Sequence, residues 1–188
     1  KEAREYFQNM KMNNYLYSDD SDESMELAFR KDNADKRKEW LYNYSEDRIL
    51  DHTKTEIKIE SFINDELIHF SNADTLRSVG SLIDGWKPSQ RKVFYSCVKR
   101  KLYKEIRVAQ LAGYVSEHAA YHHGEASLQS TIIGMAQNYV GSNNINILMP
   151  NGQFGTRILG GADSASPRYI HTELNKLMDV IYPLEDMP

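Results

Sequence analysis

The sequence predicts an α+β fold that is mainly helical, and three observations carry that expectation. Stretches with helix-like spacing of apolar residues dominate the 188-residue chain, whereas alternating, strand-like runs are short and few. Three of those helical stretches follow one another closely between residues 88 and 141. A β-like run and a glycine-rich turn come directly after the third. Three short helices followed by strands read as a helix-turn-helix carrying a β wing, a winged helix preceded by further helical material.

Residues 1–10, KEAREYFQNM, combine good helix formers with an apolar pair and predict a short helix. The acidic stretch 18–24 reads as a polar loop, with a short helix following through Leu27 and Phe29. Residues 34–50 predict a helix with Trp40, Leu41 and Tyr44 on one side. Thr55–Ile59 alternates like a strand, and 62–70 places Phe62, Ile63, Leu67 and Phe70 on one helical face. Pro88 suits a first helical position, where its missing N–H removes no hydrogen bond. The helix it opens buries Val93, Phe94 and Val98. A short helix follows over 108–115. The next, with Leu128, Ile132, Met135 and Tyr139 in register, is expected to stop at Gly141. Residues 144–150 alternate like a strand, Pro150-Asn151-Gly152 is turn chemistry, and 152–161 hold four glycines in ten residues.

Composition excludes several classes. No apolar run approaches the roughly 18 residues of a membrane span. The lone Cys97 cannot close an intrachain disulfide or supply a paired-cysteine metal site, and it reads as a small buried hydrophobe. Lys1 rather than Met at the start reads as an excised piece of a longer chain. The net charge of −4 argues against a uniformly basic surface. The average hides an asymmetry, because residues 87–107 hold eight Lys/Arg against the single acid Glu105. Such a focus attracts phosphates, although a charge run alone is more often a solvated helix face.

Two local patterns can carry chemistry. In GGADSASPRYI (160–170) the paired glycines allow close backbone approach, and Pro167 stiffens the chain before Arg168 and Tyr169. A phenol with a pKa near 10 is a weak nucleophile unless a cation or base assists it. A guanidinium fork fits a phosphate or its transition state in bidentate fashion. Arg-Tyr on a glycine-rich loop therefore suits attack on a phosphodiester, though a surface arginine beside a half-buried tyrosine is the blander reading. In YHHGE (121–125), neighbouring histidines do not share a helix face, which argues against a metal pair. Placed at a helix N-terminus, His122 and His123 can donate to phosphate; ordinary surface histidines are the alternative.

Taken jointly, LIDGWKPSQRKV (82–93), the stretch 108–144, PNGQFGTR (150–157), GGADSASPRYI and TELNKL (172–177) resemble the breakage-reunion region of eukaryotic-type DNA topoisomerase II. The corresponding chain of bacterial gyrase is similar at greater distance. The likeness is high over 77–177, moderate at KEAREYF and RKEWL, and poor over 13–33; the segment from Leu41 to Phe62 is shorter than in cellular enzymes of the family. It implies that Tyr169 is the nucleophile that forms a 5′-phosphotyrosyl link, with Arg168 stabilising transition-state charge. Lys87 and Arg77 would contact the DNA backbone; Tyr121, His122, His123 and Ser127 would line the duplex; Arg37 and Lys38 would touch it further out. Residues 1–33 would be the trailing edge of a metal-binding TOPRIM domain with its acidic loop, 34–76 a helical linker, and 77–188 the winged-helix breakage-reunion domain.

The resemblance further implies Mg²⁺ held by ligands upstream of this chain, ATP used by the complete enzyme, a homodimer on double-stranded DNA, no membrane association and a nuclear location. It places no metal ligand in this chain, and the segment by itself is expected to be inactive. Ala162 stands where the family usually has Lys, one cation fewer beside the nucleophile. Two other readings compete: a non-enzymatic winged-helix DNA-binding module, and a helical interaction domain with a merely solvated charge patch.

Overall fold

The computed structural model describes residues 2–183 and Glu185. Lys1, where the expected first helix began, and Leu184 and 186–188, inside the expected last domain, lie outside the described residues. The chain gathers into two compact units that divide between Val79 and Gly80.

In the first unit, α1 (Glu2–Gln8) precedes β1 (Asn14–Leu16), which pairs in parallel with β2 (Glu56–Lys58). Helix α2 (Ser21–Phe29) begins inside the stretch expected to be a polar loop. The serines explain the difference: Ser21 Oγ accepts the Ser18 N–H at 2.8 Å, and the Ser18 hydroxyl donates to Glu60 at 2.7 Å. Helix α3 (Ala34–Tyr42) stops well short of residue 50 because Asn43 caps it, its amide donating to the Glu39 carbonyl at 3.0 Å. Tyr44 therefore leaves the helix. Its hydroxyl bonds His69 Nδ1, while His69 Nε2 donates to the Arg48 carbonyl.

The next helical run comprises α4 (Ile59–Phe62), a π turn (Ile63–Leu67) and α5 (Ile68–Ser78). Ile63 and Ile68 are both fully buried while Phe70 is exposed, so the expected Phe62/Ile63/Leu67/Phe70 face is not the one that packs. The π turn is the reason. Residues five apart in an α-helix sit about 140° from each other around the axis, and i→i+5 bonding brings them nearly into line. Ile68 N–H reaches the Ile63 carbonyl in this way.

The second unit is built on α6 (Pro88–Arg100), α7 (Val108–His118) and α8 (Glu125–Ala136). Val93, Cys97, Leu111, Val115, Leu128 and Ile132 are buried where these helices meet, and Leu148, Phe154, Ile170 and Met178 close the core from outside them. Helix α6 starts at Pro88 and ends in a left-handed turn at Lys101 (φ +53°). Leu102 N–H bonds the Cys97 carbonyl and Lys101 N–H the Val98 carbonyl, a Schellman pair that also buries Leu102. Trp86, Phe94 and Tyr182 form an aromatic cluster with centroids 4.9–5.3 Å apart.

Two expectations are corrected here. Helix α8 ends at Ala136 rather than Gly141, because its last carbonyls are taken by the returning chain. The Asn143 amide donates to Gly134 and Gln137 carbonyls, and Ile147 N–H to that of Met135. Residues 144–150 also form no strand. They meet 171–175 through one isolated antiparallel bridge, Leu148 with Leu174, and through side-chain bonds from Thr172 and Asn175 to the Met149 and Asn146 carbonyls; Asn151, just beyond, bridges His171 in the same way. The wing is completed by the short antiparallel pair β3 (Ile106–Arg107) and β4 (His171–Thr172). A final short helix, α9 (Met178–Ile181), follows. The fold is α+β, mainly helical, with a minimal β wing on a helix-turn-helix.

Candidate active site

Between α8 and β4 the described chain has no helix or strand, yet this is where Arg168 and Tyr169 lie. Backbone bonds to the start of α7 hold them in place. The Val108 N–H donates to the Ile170 carbonyl and the Ala109 N–H to the Pro167 carbonyl, both at 3.1 Å. First-turn N–H groups have no partner inside their own helix, so the loop supplies acceptors that α7 needs. Ile170 is buried beneath the anchor, whereas Tyr169 projects outward and is 74% exposed. A tight turn, Tyr169 N–H to Ser166 carbonyl at 2.9 Å, sets its direction. Arg168 is exposed beside it, the guanidinium carbon 5.9 Å from the phenol ring centre.

A second seam joins this loop to residues 153–156. Gly155 has φ +103°, and a Cβ built there would lie 2.5 Å from Gly161 Cα, so the two backbones touch. Gly161 in turn seats against the end of α8, where a Cβ would collide with the Gln137 amide and come within 2.8 Å of Tyr139 Oη. Gln137 Nε2 donates to the Phe154 carbonyl at 2.8 Å. Asp163 closes the seam. It accepts the Thr156 N–H at 2.8 Å and the Thr156 hydroxyl at 2.9 Å, with Gln153 Nε2 at 3.4 Å. The Thr156 N–H, and after it the hydroxyl, holds the Asp163 carboxyl below its ordinary value. Sequence reasoning did not single out Asp163, Thr156 or Gln137; the one available signal was an acid and a threonine bracketing the paired glycines.

The remaining candidates divide between the two units. His122, His123 and Ser127 are exposed where α8 starts, and Gly124, the N-cap, leaves that helix end without a side-chain cap. Tyr121 is buried below them, edge-on to His123 at 5.3 Å, with its hydroxyl 3.5 Å from Ser127 Oγ. Lys87 is the N-cap of α6, its N–H donating to Gln90 Oε1 at 2.9 Å. The preceding turn is fixed by Asp84, which accepts the Trp86 N–H at 3.1 Å and Arg91 Nη2 at 2.6 Å. The Trp86 N–H first, then Arg91, keeps the Asp84 carboxyl low.

Several cations of the basic run 87–107 are engaged within the unit. Arg91 is paired with Asp84, Lys92 donates to the Ala120 carbonyl at 2.8 Å, and Arg100 lies over the Tyr114 ring at 4.8 Å. Arg37, Lys38 and Arg77 belong to the first unit. Arg37 donates to the Leu27 and Arg30 carbonyls, Lys38 pairs with Asp35, and Arg77 pairs with Asp74. Among the described residues, no three His, Cys, Asp or Glu side chains are placed together to hold a metal ion.

Residues 77–188 match the family model for the A-type chain of DNA gyrase/topoisomerase IV. The chain belongs to the type II DNA topoisomerase family. Residues 1–75 match the C-terminal associated domain of TOPRIM. DNA topoisomerase 2 of Saccharomyces cerevisiae is 56% identical over 191 residues, covering 100% of this chain, and human DNA topoisomerase 2-alpha is 51% identical over 201 residues, covering 99%. The chain spans 13% of the length of each of these type II topoisomerases. The solved DNA-binding, cleavage and re-ligation domain of Plasmodium falciparum topoisomerase II superimposes with a TM-score of 0.76 at 47% identity, covering all of this chain and 26% of that one. The family acts on DNA topology, and its members are isomerases.

Proposed function

We propose that this chain is the strand-breaking and rejoining segment of a type II topoisomerase. The single observation that carries the reading is an exposed Tyr169 whose flanking carbonyls are tied down on both sides, next to an exposed Arg168. Tyr169 Oη attacks a backbone phosphorus. An Oη–P bond forms, the P–O3′ bond breaks, the phenolic proton passes to solvent or a base, and the 3′-hydroxyl leaves with a proton of its own. One phosphodiester replaces another of similar energy, so the step reverses and no energy cofactor enters it. What this chain supplies is positioning and charge: Arg168 faces the oxygens that gain charge, and the anchored loop holds the phenol.

His122, His123 and Ser127, with Tyr121 behind them, and Lys87 would meet the duplex within the second unit; Arg37, Lys38 and Arg77 would do so from the first. Residues 1–33 would be the edge of a TOPRIM domain, 34–76 a helical linker and 77–188 the breakage-reunion domain. By the family resemblance, the Mg²⁺ of the reaction would be held by ligands outside this chain. ATP would serve the complete enzyme. The enzyme would act as a nuclear homodimer on double-stranded DNA, each protomer cutting one strand. Among the described residues no helix is long and apolar enough to cross a membrane.

The test is protein–DNA adduct mapping with the complete polypeptide, Mg²⁺ and end-labelled duplex. An adduct on Tyr169 that vanishes in Tyr169→Phe, with duplex affinity unchanged within about twofold, is the expected result. Tight duplex binding by a verified dimer without any adduct would favour the DNA-binding module instead.

A further inference from the structure

We infer that Asp163 is a positioning residue for Tyr169, its carboxylate locking the 160–170 loop to residues 153–156 so that the phenol and Arg168 emerge at one fixed place. The inference rests on the reading of Tyr169 as nucleophile and adds a residue that acts through the backbone.

An exposed nucleophile is effective only if its backbone is held, because a displacement of about 1 Å at the reacting atom costs on the order of a hundredfold in rate. Tyr169 itself lies in neither a helix nor a strand, so its rigidity comes from what the loop is tied to. The loop is held at its far end by α7, through the Pro167 and Ile170 carbonyls. Its near end packs through Gly161 against the end of α8 and is bonded to 153–156 across the seam, where three kinds of contact coincide: the Gly155–Gly161 approach, two backbone bonds (Gly161 N–H to Thr156 carbonyl, Ala165 N–H to Gln153 carbonyl, both 2.9 Å) and the Asp163 carboxylate. Asp163 is the one side chain in 160–167 whose bonds cross the seam, and it crosses with both oxygens. Oδ1 accepts the Thr156 N–H, and Oδ2 the Thr156 hydroxyl with the longer Gln153 contact. Bonds to an ionised acceptor are the stronger kind.

Electrostatics make the placement informative. A carboxylate six residues from a group that must meet a polyanion repels that polyanion, and the ion pairs of the described residues do not include Asp163. An acid kept there despite the repulsion, with its lone pairs turned to Thr156, has a local task. Removing its charge therefore pulls binding and chemistry in opposite directions, which a purely electrostatic role or a general loss of fold does not do.

The experiment is single-turnover adduct formation by the complete polypeptide with Mg²⁺ and a duplex, alongside equilibrium duplex affinity. Asp163→Asn is expected to bind duplex as tightly as the parent or more tightly while its adduct rate falls about tenfold or more. Ser164→Ala, in the same loop but without a bond across the seam, is expected to keep the parent rate. Should Asp163→Asn not fold, Thr156→Val carries the test: it keeps the N–H, loses the hydroxyl and is expected to fall in rate, with Thr156→Ser recovering it. An Asp163→Asn rate equal to or above that of the parent overturns the inference, as does equality of Thr156→Val and Thr156→Ser. A parent protein that forms no adduct on Tyr169 overturns the reading of the nucleophile, which is a separate result.

Discussion

Replacing Gly155 by alanine tests whether the two glycine backbones truly meet. At φ +103° any side chain is strained, costing about 1–2 kcal/mol. The added Cβ lies 2.5 Å from Gly161 Cα and 2.7 Å from its carbonyl oxygen, against an ordinary carbon contact of about 3.5–4.0 Å. Both opposing atoms are backbone, so no rotamer relieves the clash and the two chain segments must part by about 1 Å, an overpacking term of about 1–3 kcal/mol. Parting them also loosens the Gly161 N–H to Thr156 carbonyl bond, about 0.5–1.5 kcal/mol more. Gly160→Ala is the matched control: φ is +57° there and nothing lies within 4 Å of the new Cβ, so only the conformational cost of about 1–2 kcal/mol applies. Gly155→Ala should therefore be the worse variant by about 1.5–4.5 kcal/mol, and a gap of about 2 kcal/mol, near the low end of that range, is what the assay must resolve. Where the loop opens on its own, that gap is about a thirtyfold difference in amide exchange at Gly161; where opening is coupled to unfolding of the unit, it is a Tm difference of about 8–16 °C. Equal exchange rates and equal Tm in the two variants would refute the close approach and the seam built on it.

Other consequences are more local. Cys97, fully buried with its thiol pushed up to about 12 by desolvation, should resist iodoacetamide in the native protein and react only as fast as the chain unfolds; prompt labelling would contradict the packing of α6. Leu128→Ala, at a fully buried position, should destabilise the second unit by about 3–5 kcal/mol in denaturant melts, and a loss under about 1 kcal/mol would remove it from the core. Asp84 has a folded pKa below its unfolded value, so its hold on the Trp86 turn is complete above the ordinary carboxylate range and is lost as pH falls through the folded value. Trp86 fluorescence should report that loss on acidification, and an Asp84→Asn variant with the same acid profile would show that the carboxylate is not responsible. If Lys87 meets a phosphate, Lys87→Ala should make the salt dependence of duplex affinity shallower by about one unit, while an unchanged slope takes it out of the interface.

Periodicity revealed the helices whose ends are set by local chemistry. Helix α6 begins at Pro88 and buries Val93 and Phe94 because the proline and the apolar spacing lie within one segment. It failed where the helical period was broken or was ended by chain beyond the segment. The end of α8 depends on Asn143 and Ile147 reaching back to Gly134 and Met135, and the buried face of 59–78 depends on a π turn that shifts Ile68 into line with Ile63. The site was legible as a candidate for a different reason. Glycines, Pro167 and the Arg-Tyr pair are chemically unusual wherever they occur, so they stand out without any periodic pattern. Asp163 does not, since an acid in a polar loop looks ordinary until Thr156 is seen to turn both its donors toward it.

The two helix N-termini of the helix-turn-helix show how the fold assigns different work to similar ends. Each presents unpaired N–H groups that favour an acceptor. At α7 those of Val108 and Ala109 are taken by the Ile170 and Pro167 carbonyls, so this end is committed to holding the Tyr169 loop and has little left for a phosphate. At α8 the N-cap is Gly124, which brings no capping side chain, and His122, His123 and Ser127 stand exposed around it. Any phosphate that approaches a helix end in this unit should therefore prefer α8. On the proposed function, a duplex would be drawn to one helix end while the other holds the Tyr169 loop. Under that division, His122→Ala and His123→Ala should weaken duplex binding and leave amide protection at Val108 and Ala109 untouched. Loss of protection at α7 in those variants would mean that the two ends are not independent.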